Sequence, residues 1–176
     1  RTGGRVEDPV ALVGDVRLTV ELPPRHREAE GLQEPRLRHS PHPDDLDREL
    51  AFVAGLSEQT LHLRLQYSSN GITREDAARL LQLDYLDNLA IGAFVAPHGA
   101  ARIVGVSRYA RVPGTDRAEC AIVVADDWQG RGLGTELMRS LGSAARARGI
   151  RSLEASSLAE NRRIHDWAQR FGCDVR

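Results

Sequence analysis

The sequence predicts a single α/β (α+β) domain in which helices flank a mixed central β-sheet. Three observations predict it. Apolar residues recur at helical spacing in several separate segments. Three apolar runs, Ala90 to Ala96, Arg102 to Tyr109 and Ala118 to Ala125, follow one another across turn-forming residues, as a strand meander does. After the third run the pattern alternates helix, strand, helix. At 176 residues the chain is long enough to bury a real core.

Residues 1–34 read as an N-terminal extension or linker. Val10 to Val13 and Val16 to Leu22 make one option there, a short hairpin turning at Gly14-Asp15. Pro23-Pro24 then breaks the pattern. Residues 35–176 form the domain proper. Arg36-Leu37-Arg38-His39 is short and strand-like. Pro41 and Pro43 with Asp44-Asp45 suit a helix entrance, and Leu46, Leu50, Val53 and Ala54 keep helical spacing up to Gly55. Ser57 caps a second helical stretch carrying Leu61, His62 and Leu65. Thr73-Arg74-Glu75-Asp76 opens a third, with Ala77, Leu80, Leu81 and Leu83 as its apolar face. Pro97-His98-Gly99 and Val112 to Asp116 are the turns of the meander. Its third strand, near-continuously apolar, is central and buried. Leu133, Leu137, Met138, Leu141 and Ala145 keep helical spacing up to Gly149. Ser152 to Ser156 reads as a strand, and Asn161 to Phe171 as a helix stopped by Gly172.

Lys and Arg number 24 and Asp and Glu 25, a net charge of −1, so nothing global points to a nucleic-acid partner. No apolar run has the length of a membrane span, which gives no reason to expect a membrane partner. Cys120 and Cys173 are the two cysteines; neither a disulfide framework nor a metal site is expected, and a reducing cytoplasm is the default compartment.

The stretch Gln129-Gly130-Arg131-Gly132-Leu133-Gly134 organises the chain. It lies between a strand and a helix. Glycine permits positive φ and close approach of a ligand, and a helix start leaves amide N–H groups without internal partners. Strand, glycine turn and helix start together suit a phosphate or pyrophosphate. The six residues alone fit a ligand-free tight turn equally well.

The segment from Ala118 to Cys173 resembles the GNAT superfamily of N-acetyltransferases. Gln129 to Gly134 matches its Gln/Arg-x-x-Gly-x-Gly/Ala signature, Asn161 its asparagine after the next strand, and Gly172 the glycine closing the last helix. Leu56-Ser57, Leu61 to Arg64, Asp84-Tyr85, Ala118-Glu119 and Asp126 to Gln129 look like the Pat-type bacterial protein lysine acetyltransferases. The resemblance implies acetyl-CoA as acetyl donor, with no metal. It implies a pyrophosphate on Gln129, Gly130, Arg131, Gly132, Leu133, Gly134 and Thr135, and a pantetheine arm beside Ile122, Val123 and Val124. Asn161 stands either at the pantetheine or as a plain helix cap. Glu119 is implied as general base for a direct attack, acting through water, with no covalent acetyl-enzyme. The implied partner is a protein substrate with an exposed lysine, such as an acyl-CoA synthetase. A small-molecule amine acetyltransferase and a non-catalytic acetyl-CoA-binding module are the alternatives.

Two departures from the family pattern stand out. Many members carry a tyrosine seven residues after the asparagine, where this chain has Ala168. The family also continues past the final glycine into two more strands, whereas only Cys173 to Arg176 follow here. Those C-terminal strands are expected to be missing, so that either the chain is cut short or residues 1–34 or a partner chain covers the open sheet edge.

Overall fold

The computed structural model describes residues 15–21, 36–39, 45–65, 73–96 and 101–175. Two short strands open the order, β1 (Asp15–Glu21) and β2 (Arg36–His39). Helices α1 (Leu46–Ala54), α2 (Glu58–Leu65) and α3 (Arg74–Leu80) follow. Then come the meander strands β3 (Asn88–Val95), β4 (Arg102–Arg111) and β5 (Arg117–Val124). The chain continues through α4 (Leu133–Ala147), β6 (Ser152–Leu158), α5 (Arg162–Phe171) and β7 (Asp174–Val175). One seven-stranded sheet runs β2-β3-β4-β5-β6-β1-β7. The β5–β6 pair is parallel and every other pair antiparallel.

Local chemistry sets the helix ends. Ser57 Oγ accepts the Thr60 amide at 3.2 Å and so caps α2. Thr73 and Asp76 form a reciprocal capping box on α3. Gly172 closes α5 at φ 89°, a conformation that favours glycine. Gly55 ends α1 at φ −86°, in the ordinary right-handed region, so it stops that helix without the left-handed turn.

Helix α4 carries the core. Its Leu137, Leu141 and Ala145 are fully buried against β3, β4 and β5. A Cβ on Gly105 would stand 2.9 Å from the Leu137 side chain, so helix and sheet meet at glycine distance. Helix α1 covers β4 from the opposite face, and there Glu49, 2% exposed, receives a hydrogen bond of 3.0 Å from Arg108.

Strand β1 pairs along all seven residues with β6, from Asp15 opposite Leu158 to Glu21 opposite Ser152. The edge expected to be open is therefore covered by the segment read as an extension, and β1 rather than a C-terminal strand lies beside β6. The hairpin option does not hold for the described half: β1 pairs with β6 and β7, while Val10 to Val13 lie outside the described residues. After α5 the chain adds only the two-residue strand β7, with Leu18 opposite Val175. The expected turn Pro97-His98-Gly99 also lies outside the described residues. Among the described residues no helix is long and apolar enough to cross a membrane.

Candidate active site

Parallel strands β5 and β6 are hydrogen-bonded neighbours only over Arg117–Glu119 and Ser152–Glu154. Beyond that, β5 stays paired with β4 on one side and is free on the other. The divergence opens a cleft of about 2060 Å³. Ile122, Val123 and Val124 line it from β5, and Gln129, Gly130, Gly132, Gly134 and Thr135 from the glycine stretch. Asn161, Arg163 and Trp167 close the far wall.

The glycine stretch wraps from one 3-10 turn (Asp126–Trp128) into α4. Gly130 (φ 75°) and Gly132 (φ 86°) are both left-handed, which turns successive amides the same way. The amides of Thr135 and Glu136 return to the Gly132 carbonyl. The amides of Gly130, Arg131, Gly132, Leu133 and Gly134 donate to no described residue. Five free N–H groups at a helix start suit a polyanion. A Cβ on Gly130 would lie 3.4 Å from Arg163 Nη2, so a guanidinium overlies the same loop. Two of the sequence-predicted residues take other places. Leu133 buries its side chain in the core, and the Arg131 guanidinium sits 5.4 Å from the Trp128 ring centroid, leaving only their amides for a ligand.

Gln129 ties three walls of the cleft together. Its Nε2 donates to Thr60 Oγ1 (3.2 Å) and to the Val124 carbonyl (3.0 Å), and its Oε1 accepts from Arg163 Nη1 (2.7 Å). Asp126 adds to the bracing by accepting from the Ser57 amide (2.9 Å), Ser57 Oγ (2.8 Å) and Thr60 Oγ1 (2.7 Å). Burial pushes the Asp126 carboxyl up, but these hydrogen bonds outweigh it and hold the group below the usual carboxylate range. Asn161 caps α5 by accepting the Ile164 amide at 3.2 Å and also faces the cleft, so the two expected roles coincide at one residue. Trp167 Nε1 donates to Thr135 Oγ1 at 3.0 Å and stacks on Phe171, bridging α5 to α4.

At the other end of the divergence stands Glu119, the last residue of β5 paired with β6, directly across from Glu154. Its side chain is exposed, and its carboxylate has no hydrogen bond or ion pair among the described residues. Burial pushes the Cys120 thiol up to about 12, as expected of an inert packed cysteine. Ala168 is fully buried, so its position faces the core and not the cleft. Arg64 of α2 lines the cleft beside Cys120, and its Nε is shut from solvent without a partner. Sequence reasoning missed Arg64, Arg163 and the Thr60–Gln129–Arg163 chain. The Gln129–Thr60 and Gln129–Arg163 links join residues 34 or more positions apart, with no local spacing to mark them. Asp84 and Tyr85 are absent from the cleft lining. Asp84 instead accepts the amides of Leu86, Asp87 and Asn88, which orders the loop.

The family profile described as the acetyltransferase (GNAT) family matches residues 58–173. Acetyltransferase PA5475 of Pseudomonas aeruginosa is 37% identical over 123 residues, 70% of this chain and 66% of that protein. Acetyltransferase Pat of Mycolicibacterium smegmatis is 32% identical over 132 residues, 74% of this chain and 38% of that protein. Among solved structures, the GNAT domain of S. lividans PAT superposes with a TM-score of 0.71 at 26% identity, covering 77% of this chain and 79% of that one. The chain thus spans about two thirds of the first of these relatives and well under half of the second.

Proposed function

The chain belongs to the acetyltransferase (GNAT) family, and on that premise we propose that it transfers acetyl from acetyl-CoA to the ε-amine of protein lysines in the cytoplasm, with Glu119 as general base. The observation that carries the reading is the divergence of β5 from β6, which opens a cleft with five free amides at the glycine stretch; Glu119 lies outside the cleft lining, exposed at the point where the two strands part, with no partner for its carboxylate among the described residues.

The cradle from Gly130 to Gly134 fits the donor's pyrophosphate, and Arg163 stands over it as a counter-charge. Along the unpaired edge from Ile122 to Val124, the backbone groups of Ile122 and Val124 face away from β4 and are offered to the pantetheine amides. The Val123 N–H lies in the ladder with β4, so the donors on the open edge are the N–H groups of Ile122 and Val124, and one of these polarises the thioester carbonyl. When bound, acetyl-CoA supplies the acyl group.

A lysine acceptor has an ordinary pKa near ~10.4, so of the order of one in a thousand is neutral at pH 7, and deprotonation costs roughly 4 kcal/mol. Glu119 takes that proton, directly or through one water, and the neutral amine attacks the acetyl carbon. Ala168 leaves no tyrosine acid for the departing thiolate, which leaves unassisted or is protonated by water. Exposure of Glu119 favours a protein surface as acceptor over an enclosed small amine.

Incubation with acetyl-CoA and candidate acyl-CoA synthetases, read by mass spectrometry, should give acetylated lysines. Glu119→Gln should lower kcat by about 10² to 10³-fold while coenzyme A binds as before. An unchanged kcat would remove Glu119 as the base. Binding of acetyl-CoA without turnover on any amine would remove the enzyme reading.

A further inference from the structure

The large apolar side chains left in solvent are concentrated in one place. Among the described residues only Tyr85, at 40%, and Leu86, at 66%, are exposed, and they are neighbours in the loop between α3 and β3. Next to them Leu46 of α1, Ala78 of α3, and Leu81, Leu83 and Tyr85 line a hollow of about 710 Å³. A lone exposed leucine needs no explanation, but two adjoining apolar side chains beside an apolar hollow make a patch. The loop gives up stability to hold this shape. Tyr85 sits at φ 62°, and Asp84, Arg148 and Tyr109 all bond the loop backbone around it. Such strain persists only where the surroundings over-determine it.

Sheet register places the patch beside Glu119. Asn88, two residues after Leu86, pairs with Ala110, and Ala110 with Glu119. Residues paired across a sheet share a face, so the three stand in one row, with Glu119 two strand spacings, about 10 Å, from Asn88. It is the face that α1 covers: Arg108, two residues from Ala110, is held there by Glu49 of α1. Leu46 of α1 puts the hollow on that face as well. Ala110, the middle of the row, is exposed and carries only a methyl group.

Charge says what covers the patch. Glu119 ends the row on one side, and Asp84 ends it on the other by accepting Asn88 Nδ2 at 2.9 Å. Neither carboxylate has a cationic partner among the described residues. The backbone amides that Asp84 accepts pull its carboxyl down to about 2, so it is ionised at neutral pH. A two-fold contact between copies at this patch would bring these like charges together. Two uncompensated carboxylates at the border of an apolar patch instead complement a lysine ammonium that rises beside an apolar side chain.

We propose that Tyr85 and Leu86 dock an apolar side chain that the protein acceptor carries about 10 Å from its target lysine. This names a feature of the acceptor and rests on the protein-lysine reading above.

The test uses pairs of end-blocked peptides that hold a single lysine and either Leu or Ser three positions away, about 10 Å in an extended chain. One pair has that residue before the lysine and the other after it. The wild-type protein should favour the Leu peptide of at least one pair about tenfold, in KM and not in kcat, as partial burial of one leucine supplies. Leu86→Ser should bring that peptide to the level of its Ser partner, and Leu86→Met should keep most of the preference, with coenzyme A affinity by calorimetry the same in both variants. Binding of the same peptides with the lysine already acetylated, to coenzyme A-saturated protein, reads the preference without turnover. If no peptide is acetylated but the Leu product binds better, the protein-lysine reading fails and the docking patch stands. Equal treatment of both pairs by the wild-type protein, in turnover and in binding, overturns the patch. A Leu86→Ser variant that melts several degrees lower overturns it too, since a segment of this chain then covers Leu86. So does a dimer in sedimentation that Leu86→Ser abolishes, since a second copy then does.

Discussion

The two ends of the β5–β6 divergence are built by opposite means. At the glycine end the free groups are backbone amides, and the side chains around them are mutually satisfied: Gln129 to Thr60 and Arg163, Asp126 to Ser57 and Thr60. At the Glu119 end the backbone is paired into the sheet, and the free group is a side-chain charge, the Glu119 carboxylate, which has no partner among the described residues. One end resembles a preformed socket for a ligand that is always the same. The other keeps unspent charge for a ligand that varies. The difference teaches that a chain can fix its donor site with local geometry while leaving acceptor choice to a few replaceable side chains.

The largest test of that contrast is at Glu49, which holds Arg108 at the charged end. Removing one partner of a buried pair typically costs about 3–5 kcal/mol, and here it would leave Arg108 and Arg64 facing each other without an anion. Glu49→Ala should lower unfolding stability in urea by that amount. A loss below about 1 kcal/mol would mean that the charged end does not depend on this pair.

The socket is tested next. A Cβ on Gly134 would already touch Ile122 Cδ1 (3.5 Å) and Val124 Cγ2 (3.8 Å), so a larger side chain must fill the groove between α4 and β5. Gly134→Leu should weaken coenzyme A about a hundredfold or more, roughly 2.7 kcal/mol, with an unchanged circular dichroism spectrum. Retained affinity would remove the loop from the binding site. Arg163→Ala, which deletes a cation over the same loop without touching its amides, should cost only about tenfold in coenzyme A affinity. That deficit should shrink as salt is raised. A larger loss would mean that the socket relies on side-chain charge after all.

The same contrast explains what could be read from the sequence. The glycine end is contiguous: Gln129 to Gly134 occupy one turn, so spacing and residue type alone suggest phosphate chemistry. The meander and α4 were legible for the same reason, as periodic patterns within single elements. The Glu119 end is assembled from α1, α2, β4 and β5, so Glu49, Arg64 and Arg108 carry no mutual signature. Glu49 stands three residues after Leu46 and four before Val53, on the apolar face of its helix, yet nothing local names Arg108 as its partner. Strand β1 was read as part of a hairpin because Gly14-Asp15 is a turn signal, yet its partners, β6 and β7, lie more than 130 positions away. Local turn chemistry cannot report pairing at that range.

The smallest effect concerns the rim beside Glu119. Asn88 pairs with Ala110, and Ala110 with Glu119, so the loop from Asp84 to Asp87 borders the charged end. In this loop, unlike at Glu119, the carboxylate is fully used. Asp84 Oδ1 accepts the amides of Leu86 (2.9 Å), Asp87 (2.8 Å) and Asn88 (2.8 Å), and Oδ2 accepts Asn88 Nδ2 (2.9 Å). The Asn88 amide first, then that of Leu86, pull the carboxyl from its ordinary 3.8 down to about 2, against slight burial. The folded value lies below the unfolded one, so the contribution is fully present above the ordinary value and is lost as pH falls through about 2. Because Asp84 is largely exposed, solvent screens the effect and it is small. The loop it orders includes Tyr85 at φ 62°, a left-handed conformation that costs a non-glycine residue roughly 1–2 kcal/mol. Arg148 Nε helps by donating to the Tyr85 carbonyl (2.8 Å), and Tyr109 Oη donates to that of Leu86 (3.0 Å). Urea unfolding between pH 5 and 2 should therefore show a shallower acid loss in Asp84→Asn than in the wild-type protein. At pH 7 the variant should be only slightly less stable, since the asparagine carbonyl still accepts the amides. Equal acid slopes would mean that Arg148 and Tyr109, and not the carboxylate, hold the rim that borders Glu119.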